Sequence, residues 1–326
     1  MHDMRAVVVQ QYGGPEVLQF THVEPPKPAA DGVTIAVEAA AVGLIDVLFR
    51  RDGLRGLVSP PFIPGIEVAG RVAEVGADVQ GLVPGQAVVT LSNPGTSGYA
   101  EVAAVPASLV IPLDAPNGRA IEPALAVAAV PNVVTALAAL GDAARMRPGD
   151  DVLVFGATGG LGSVFPGVAN SLGARTVTAV VTRPENVGRA RAYGFTEVIL
   201  MDEIGDAMQT FDVVVDPVGG AARQAALSLL RPLGRVVAVG NASDAEQISV
   251  GTNDLWLGNA GVVGLNIAGL LATEPERARI LATRAIDLIL HDRIRTEYET
   301  LPLEDAAAAH QRMEDRSVIG RLVLTP

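Results

Sequence analysis

VLVFGATGGLGS, residues 152–163, decides the fold. Val152–Phe155 is an apolar run with β-branched members and reads as a buried strand. It runs into Gly156-Ala157-Thr158-Gly159-Gly160-Leu161-Gly162, and a helix is expected to follow over Ser163–Leu172. Such a loop needs glycine for two reasons. The turn uses backbone angles that side chains forbid, and a pyrophosphate must approach bare N–H groups at a helix N-terminus. The spacing is Gly156-x-x-Gly159-x-x-Gly162, not the commoner G-x-G-x-x-G. An ordinary tight turn also uses glycine, so the surroundings decide. Strands are expected at Thr176–Val181, Val198–Leu200, Phe211–Asp216 and Arg235–Val239, with helices between at Glu185–Tyr193 and Ala221–Leu230. This alternation is that of a doubly wound parallel sheet, and the loop reads as a dinucleotide site.

An acidic residue ending the second strand would bind the ribose 2′-OH of NAD. Counting on from Gly162 reaches Thr182-Arg183-Pro184-Glu185, and no acid ends that strand. Thr182 offers a hydroxyl and Arg183 a fork of donors suited to a 2′-phosphate, so NADPH is the expected cofactor. Glu185 is the rival ribose ligand. Thr182-x-x-Glu185 with Pro184 between them fits a capping box, which would occupy Glu185 on the backbone.

Outward from this core, residues 4–110 read as short strands separated by Gly/Pro punctuation, the pattern of an irregular barrel. Ala-rich segments at Glu122–Ala129 and Val133–Leu140 look helical, as does Glu274–His291, and a last strand is expected at Arg321–Leu324. At 326 residues, two domains are the default. The net charge of −12 repels nucleic acid, and zero cysteines exclude disulfides and Cys-ligated zinc. Apolar stretches are interrupted by Gly, Asn or charge, so no membrane span is expected and a cytoplasmic protein is.

The whole chain resembles the zinc-free quinone oxidoreductases of the medium-chain dehydrogenase/reductase superfamily. The matching stretches include MRAVVVQQYGGPEVLQF (4–20), PPFIPGIEVAGRVAEVGADV (60–79), SGYAEVAAVPASLVIPLD (97–114), FDVVVDPVGG (211–220), LRPLGRVVAVG (230–240) and SVIGRLVL (317–324), in the family's order. The resemblance implies an α/β protein: a GroES-like β-barrel catalytic domain, 1–122 and 266–326, around a Rossmann domain, 123–265, with the active site in the cleft between them. In zinc-dependent relatives a Cys lies three residues before an Asp and a His follows Pro-Gly. Here those positions hold Gly43, three before Asp46, and Ile66, after Pro64-Gly65, so no metal is expected. Many quinone oxidoreductases carry Asn at position 43 and Tyr near Leu48; of that polar group only Asp46 survives. It is assigned to positioning, equally readable as a structural carboxylate. Glu67, a carboxylate behind the metal in zinc relatives, is expected in a buried ion pair. The resemblance also places Asn132 and Thr135 at the nicotinamide and its ribose, with helix-start capping and packing as alternatives. Gly240-Asn241 and Leu265-Asn266 would make backbone contacts to the cofactor, while Asp216 also reads as a structural residue at a strand end.

No general acid is evident: His2, His22, His291 and His310 are expected on outer segments, Tyr99 in packing and Tyr12 in a turn. The expected function is NADPH-dependent reduction of a small apolar quinone or α,β-unsaturated carbonyl by a homodimer without zinc. The alternative is a non-catalytic NADPH-binding relative.

Overall fold

The computed structural model describes residues 3–93, 95–113, 120–206 and 210–326, so His2 lies outside the described residues. The chain divides into two compact units: Met1–Pro131 with Leu271–Ala282 and Glu297–Pro326, and Asn132–Leu270 with Thr283–Thr296. Against the boundaries expected from sequence, the second unit begins later and takes back residues 283–296.

In the first unit, β1 (Met4–Val9) pairs antiparallel with β2 (Leu18–Val23). The long β3 (Gly32–Val42) then leads to α1 (Leu44–Gly56). Further on lie β4 (Val68–Val75), β5 (Ala87–Thr90), β6 (Val102–Pro106) and β7 (Val110–Pro112). β3 carries the sheet, pairing antiparallel with both β4 and β6. Val33 and Ile35 of β3 are fully buried and Thr34 between them is buried as well; only Ala36 and Glu38 face out, so most of this strand is covered on both faces. The sequence reading passed over α1, because LIDVLFRRDGLRG has a glycine and no sustained apolar period.

The helix α2 (Pro123–Leu137) corrects a second expectation. Two helices separated near Pro131 are in fact one, prolonged by a π-helical stretch at Ala138–Ala143. Proline removes one helical hydrogen bond, a loss of about 3 kcal/mol in an exposed helix, yet flanking residues Val127–Val130, Val133 and Val134 are wholly buried and hold the helix by packing. Pro123–Ala143 is also long and apolar enough to cross a membrane, contrary to the sequence reading, but 83% of its most apolar window is buried inside the protein.

The second unit holds a six-stranded parallel sheet built from β8 (Asp151–Val154), β9 (Thr176–Val181), β10 (Glu197–Leu200), β11 (Phe211–Asp216), β12 (Leu230–Ala238) and β13 (Gly261–Gly264). α3 (Phe165–Ser171), α4 (Val187–Tyr193), α5 (Ala221–Ser228) and α6 (Thr252–Gly258) lie between successive strands. The order β10-β9-β8-β11-β12-β13 makes β8 and β11 central, and their reading as near-continuous apolar runs follows from burial on both faces. Leu153, Phe155, Val214, Leu229 and Val236 form its core. After α7 (Ile267–Thr273) and α8 (Pro275–Leu290), the tail adds β14 (Tyr298–Pro302), α9 (Ala306–Glu314) and β15 (Arg321–Thr325). β15 pairs antiparallel with β3, so the end of the chain completes the sheet begun near its start.

Candidate functional site

The glycine loop leaves β8 at the centre of the parallel sheet. Strand order reverses between β8 and β11, and in such sheets ligands bind beyond the carboxyl ends of the strands at that reversal. Gly156 has φ +61°. A Cβ on Gly162 would collide with the Gly156 carbonyl oxygen, so that glycine serves close packing of the turn. Gly156 and Gly159 are exposed, and Thr158, Gly160 and Leu161 half-buried. The loop thus presents backbone, not side chains, which fits a pyrophosphate. It passes into a short 3-10 turn, Gly162–Val164, before α3, so the expected helix begins later than Ser163.

Thr182 and Arg183 follow β9 directly, and both are exposed. The capping box expected of Thr182 and Glu185 is not formed: the turn Pro184–Asn186 starts from Arg183 with no side-chain cap, and Glu185 is exposed. A side chain three residues behind can cap only when it sits at the N-cap itself.

The other expected cofactor contacts are tied into the fold. Asp216, at the end of β11, is buried and accepts N–H bonds from Val218 at 2.8 Å and Gly219 at 2.9 Å, and one from Arg223 Nε at 2.6 Å. Arg223 also donates to the Gly240 carbonyl at 2.6 Å. Asn241 Nδ2 donates to the Ala245 carbonyl at 3.1 Å. The Leu265 N–H is engaged by Ala238, and Asn266 Oδ1 accepts the Gly269 N–H at 3.2 Å, at the start of α7. Asn132, half-buried, and Thr135, buried, both lie inside α2. Capping of a helix start by Asn132 is therefore excluded.

In the first unit, a buried polar group surrounds the start of α1. Gly43 is its N-cap residue. Asp46 is fully buried; its Oδ2 accepts the Gly43 N–H and its Oδ1 the Gly65 N–H, each at 2.9 Å. Burial pushes its pKa up to about 7 against those two bonds, and the Glu67 charge adds to the rise. Both bonds run to backbone, the contacts that the structural reading of Asp46 requires and that a positioning role would also use. Asn would match its shape but not its bonding, because its NH₂ would face one of the two N–H donors. Ile66 is buried, Leu48 half-buried, and neither offers a donor atom to a metal. Glu67 is paired with Arg321 through Nη2 and accepts the Ser92 hydroxyl on its other oxygen, a buried ion pair as expected. Arg321, on β15, went unmarked in the sequence reading; the signal was an arginine inside the apolar run IGRLVL.

His310 corrects another expectation. It is wholly buried on α9, with Nε2 3.1 Å from Tyr99 Oη and the two rings edge to face. Burial, then the charge of Arg50, holds its pKa down at about 3. Arg50 is itself fully buried and pairs with Glu314. His22 and His291 are exposed, as expected. Tyr12 donates to the Val58 carbonyl at 2.6 Å, closing the turn after α1.

Comparison with known proteins agrees with this architecture. Residues 29–115 match the family model for the alcohol dehydrogenase GroES-like domain, and residues 193–324 that for zinc-binding dehydrogenase. The chain is 30% identical to a 2-haloacrylate reductase of Burkholderia sp, covering 98% of both chains. It is 29% identical to a quinone oxidoreductase of Pseudomonas aeruginosa over 97% of both. Among solved structures, a mycobacterial protein complexed with NADPH superposes with a TM-score of 0.89 at 28% identity, over 99% of this chain and 100% of that one. With a GroES-like unit, a doubly wound sheet opened by a glycine loop, and reductases as near full-length relatives, this chain belongs to the medium-chain dehydrogenase/reductase superfamily and is an oxidoreductase that uses a nicotinamide cofactor.

Proposed function

We propose that the protein transfers hydride from NADPH to a quinone or an α,β-unsaturated carbonyl, without zinc. The observation that carries this reading is the lack of a donor side chain at the two places where zinc relatives keep ligands, Gly43 and Ile66. Position 43 is glycine, and the Arg321 guanidinium stands beside it, with Nη2 3.8 Å from where a Cβ would be. That guanidinium is paired with Glu67, and neither Gly43 nor the buried Ile66 offers a donor atom to a metal. Without a Lewis acid, conjugated acceptors are favoured, since they take hydride more readily than simple carbonyls. The relatives named for quinone and 2-haloacrylate reduction support the same class. The cofactor would rest on Gly156, Thr158, Gly159, Gly160, Leu161 and Gly162, with Asn132, Thr135, Gly240, Asn241, Leu265 and Asn266 toward its nicotinamide half. Purified protein should oxidise NADPH with a small quinone and enone panel, and a metal chelator should leave that rate unchanged. Zinc at one ion per untagged chain, or loss of activity with chelator, rejects zinc independence. NADPH binding without turnover of any acceptor favours the non-catalytic alternative.

NADPH preference rests on Thr182 and Arg183 at the exposed end of β9. A charge-assisted hydrogen bond to a 2′-phosphate contributes roughly 1.5–3 kcal/mol. Arg183→Ala should therefore weaken NADPH by about tenfold or more and leave NADH nearly unchanged, measured by fluorescence titration. Equal losses for both cofactors would reject the assignment.

We further propose a homodimer formed along β13, the edge strand of the parallel sheet. Trp256, Leu257 and Val263 are exposed there, and Leu233 joins them through its N–H bond to the Asn259 carbonyl at 2.6 Å. An unpaired edge flanked by exposed apolar side chains is an association surface. Light scattering across a dilution series should give twice the chain mass, and Leu257→Asp should halve it. A wild-type mass of one chain throughout refutes the dimer.

A further inference from the structure

We propose that Arg223 is a positioning residue for the cofactor: by tying the Gly240 carbonyl to the Asp216 carboxylate, it fixes the direction of the backbone N–H that the dinucleotide meets. The inference rests on the reading of Gly240-Asn241 as cofactor contacts and adds the side chain that holds them in place. Every residue involved belongs to the second unit.

Arg223 lies in the first turn of α5, and its fork spans two loops that leave the neighbouring strands β11 and β12. Nε donates to Asp216 Oδ2 at 2.6 Å, at the end of β11. Nη2 donates to the Gly240 carbonyl at 2.6 Å, just beyond β12. A guanidinium holds two such donors in one rigid plane, which an ammonium cannot do. The anchor is firm. The Asp216 side chain is 0% exposed and that of Arg223 20%, and Oδ1 of Asp216 already holds the N–H groups of Val218 and Gly219. The two loops also meet directly. The Ala242 and Ser243 N–H groups donate to the Pro217 and Val218 carbonyls at 3.0 and 2.9 Å. Gly219 has φ +78°, and a Cβ there would collide with Asn241 Oδ1. On the other side, Pro217 lies 3.4 Å from where a Cβ on Gly156 would be, so the pair of loops abuts the glycine loop. Strand order reverses between β8 and β11, and ligands of such sheets bind beyond the strand ends at that reversal.

The direction follows from peptide geometry. In a trans peptide the C=O and the following N–H point opposite ways. Holding the Gly240 carbonyl on Arg223 therefore turns the Asn241 N–H away from that guanidinium, and both residues are exposed. The Asn241 side chain is engaged by the Ala245 carbonyl, so the loop offers the ligand backbone. A contact made through backbone does not read the 2′-phosphate. Arg223 consequently serves NADPH and NADH alike, unlike Arg183.

The test uses the full-length protein. Arg223→Lys keeps a cation for Asp216 but loses the fork. It should weaken NADPH and NADH alike by about tenfold in fluorescence titration, the effect of one charge-assisted hydrogen bond. With a small enone at saturating NADPH, kcat should stay within about threefold of wild type, the split expected when binding alone is lost. The Ala242 and Ser243 amides should exchange with solvent faster by about the same tenfold factor, while those of Val214 and Val215 in β11 keep their rates. A merely structural role would speed both sets. Arg223→Gln, which keeps a neutral donor for Asp216, is the second variant and should show the same pattern. Unchanged affinity for both dinucleotides overturns the proposal. So does a loss confined to NADPH, which would make Arg223 a phosphate ligand, and so does a uniform rise in exchange. Wild-type protein that binds neither dinucleotide rejects the cofactor reading, and this assignment with it. Wild-type protein that binds NADPH but reduces no acceptor rejects the functional reading alone, and the titration and exchange results still decide for or against Arg223.

Discussion

Glu67→Ala is expected to destabilise the protein by about 3–5 kcal/mol, the scale for stripping one partner from a buried ion pair. The size comes from what is left behind. Arg321 is almost completely buried, and Glu67 is its only ion-pair partner among the described residues. Removing the carboxylate leaves an uncompensated guanidinium beside β3 and β4, and orphans the Ser92 hydroxyl as well. The intact pair need not add stability over an apolar one, since desolvating both charges costs about what their attraction returns. The double variant Glu67→Leu/Arg321→Met should therefore recover most of the loss. Urea unfolding of the two single variants and the double one measures the coupling. A loss under about 1 kcal/mol in Glu67→Ala would show that Arg321 reaches water when freed.

The second large effect is a pH dependence from His310. In the folded protein it stays neutral down to about pH 3, held there by burial and by the Arg50 charge. Unfolded, it protonates near pH 6.5. Between those values the unfolded chain binds a proton that the folded one refuses, so stability falls as pH falls from about 6.5 to about 3. The loss attributable to this one residue is roughly 4–5 kcal/mol, at about 1.4 kcal/mol per pKa unit. Asp46 acts in the opposite direction over an overlapping range. Its folded pKa of about 7 lies above the ordinary 3.8, so the folded state gains a proton first and is favoured on acidification through that window. Asp151, held down at about 2 by Arg175, Thr176 and Arg231 against its burial, contributes stability that is lost below pH 3.8. The total profile is consequently a poor measure of His310, and the difference between proteins is the right one. His310→Gln keeps a hydrogen-bonding partner for Tyr99 and cannot take up a proton. Its stability relative to wild type should rise by roughly 4–5 kcal/mol between pH 7 and pH 3, read from urea midpoints. A pH-independent difference would mean that the ring is accessible to water.

The division between these results and the sequence follows a physical line. Short-range chemistry was legible. The strand, glycine loop and helix at 152–171 follow from local periodicity and from backbone angles that only glycine takes cheaply. Strands β9 and β11 lie where apolar runs placed them, because burial on both faces leaves little choice of residue, and β4 lies where its run was placed although Arg71, Ala73 and Glu74 are exposed. The absence of metal-binding side chains at Gly43 and Ile66 could also be read directly, since no folding supplies a donor atom that a residue lacks.

What depended on contacts distant in sequence was not legible. Pro131 reads locally as a helix break, yet packing around α2 overrides it. His310 reads as the polar end of an alanine run, and only the closing of α9 against Tyr99, 211 residues earlier, makes it a buried neutral imidazole. Arg321 meets Glu67 across 254 residues, a pairing that exists because the tail returns to pair β15 with β3. By itself the sequence determined the fold class, the nucleotide loop and the missing metal ligands, all fixed by local steric and side-chain chemistry. Only the tertiary structure decided which charges are buried and what they face, because burial and dielectric environment arise from chain packing and from no residue alone.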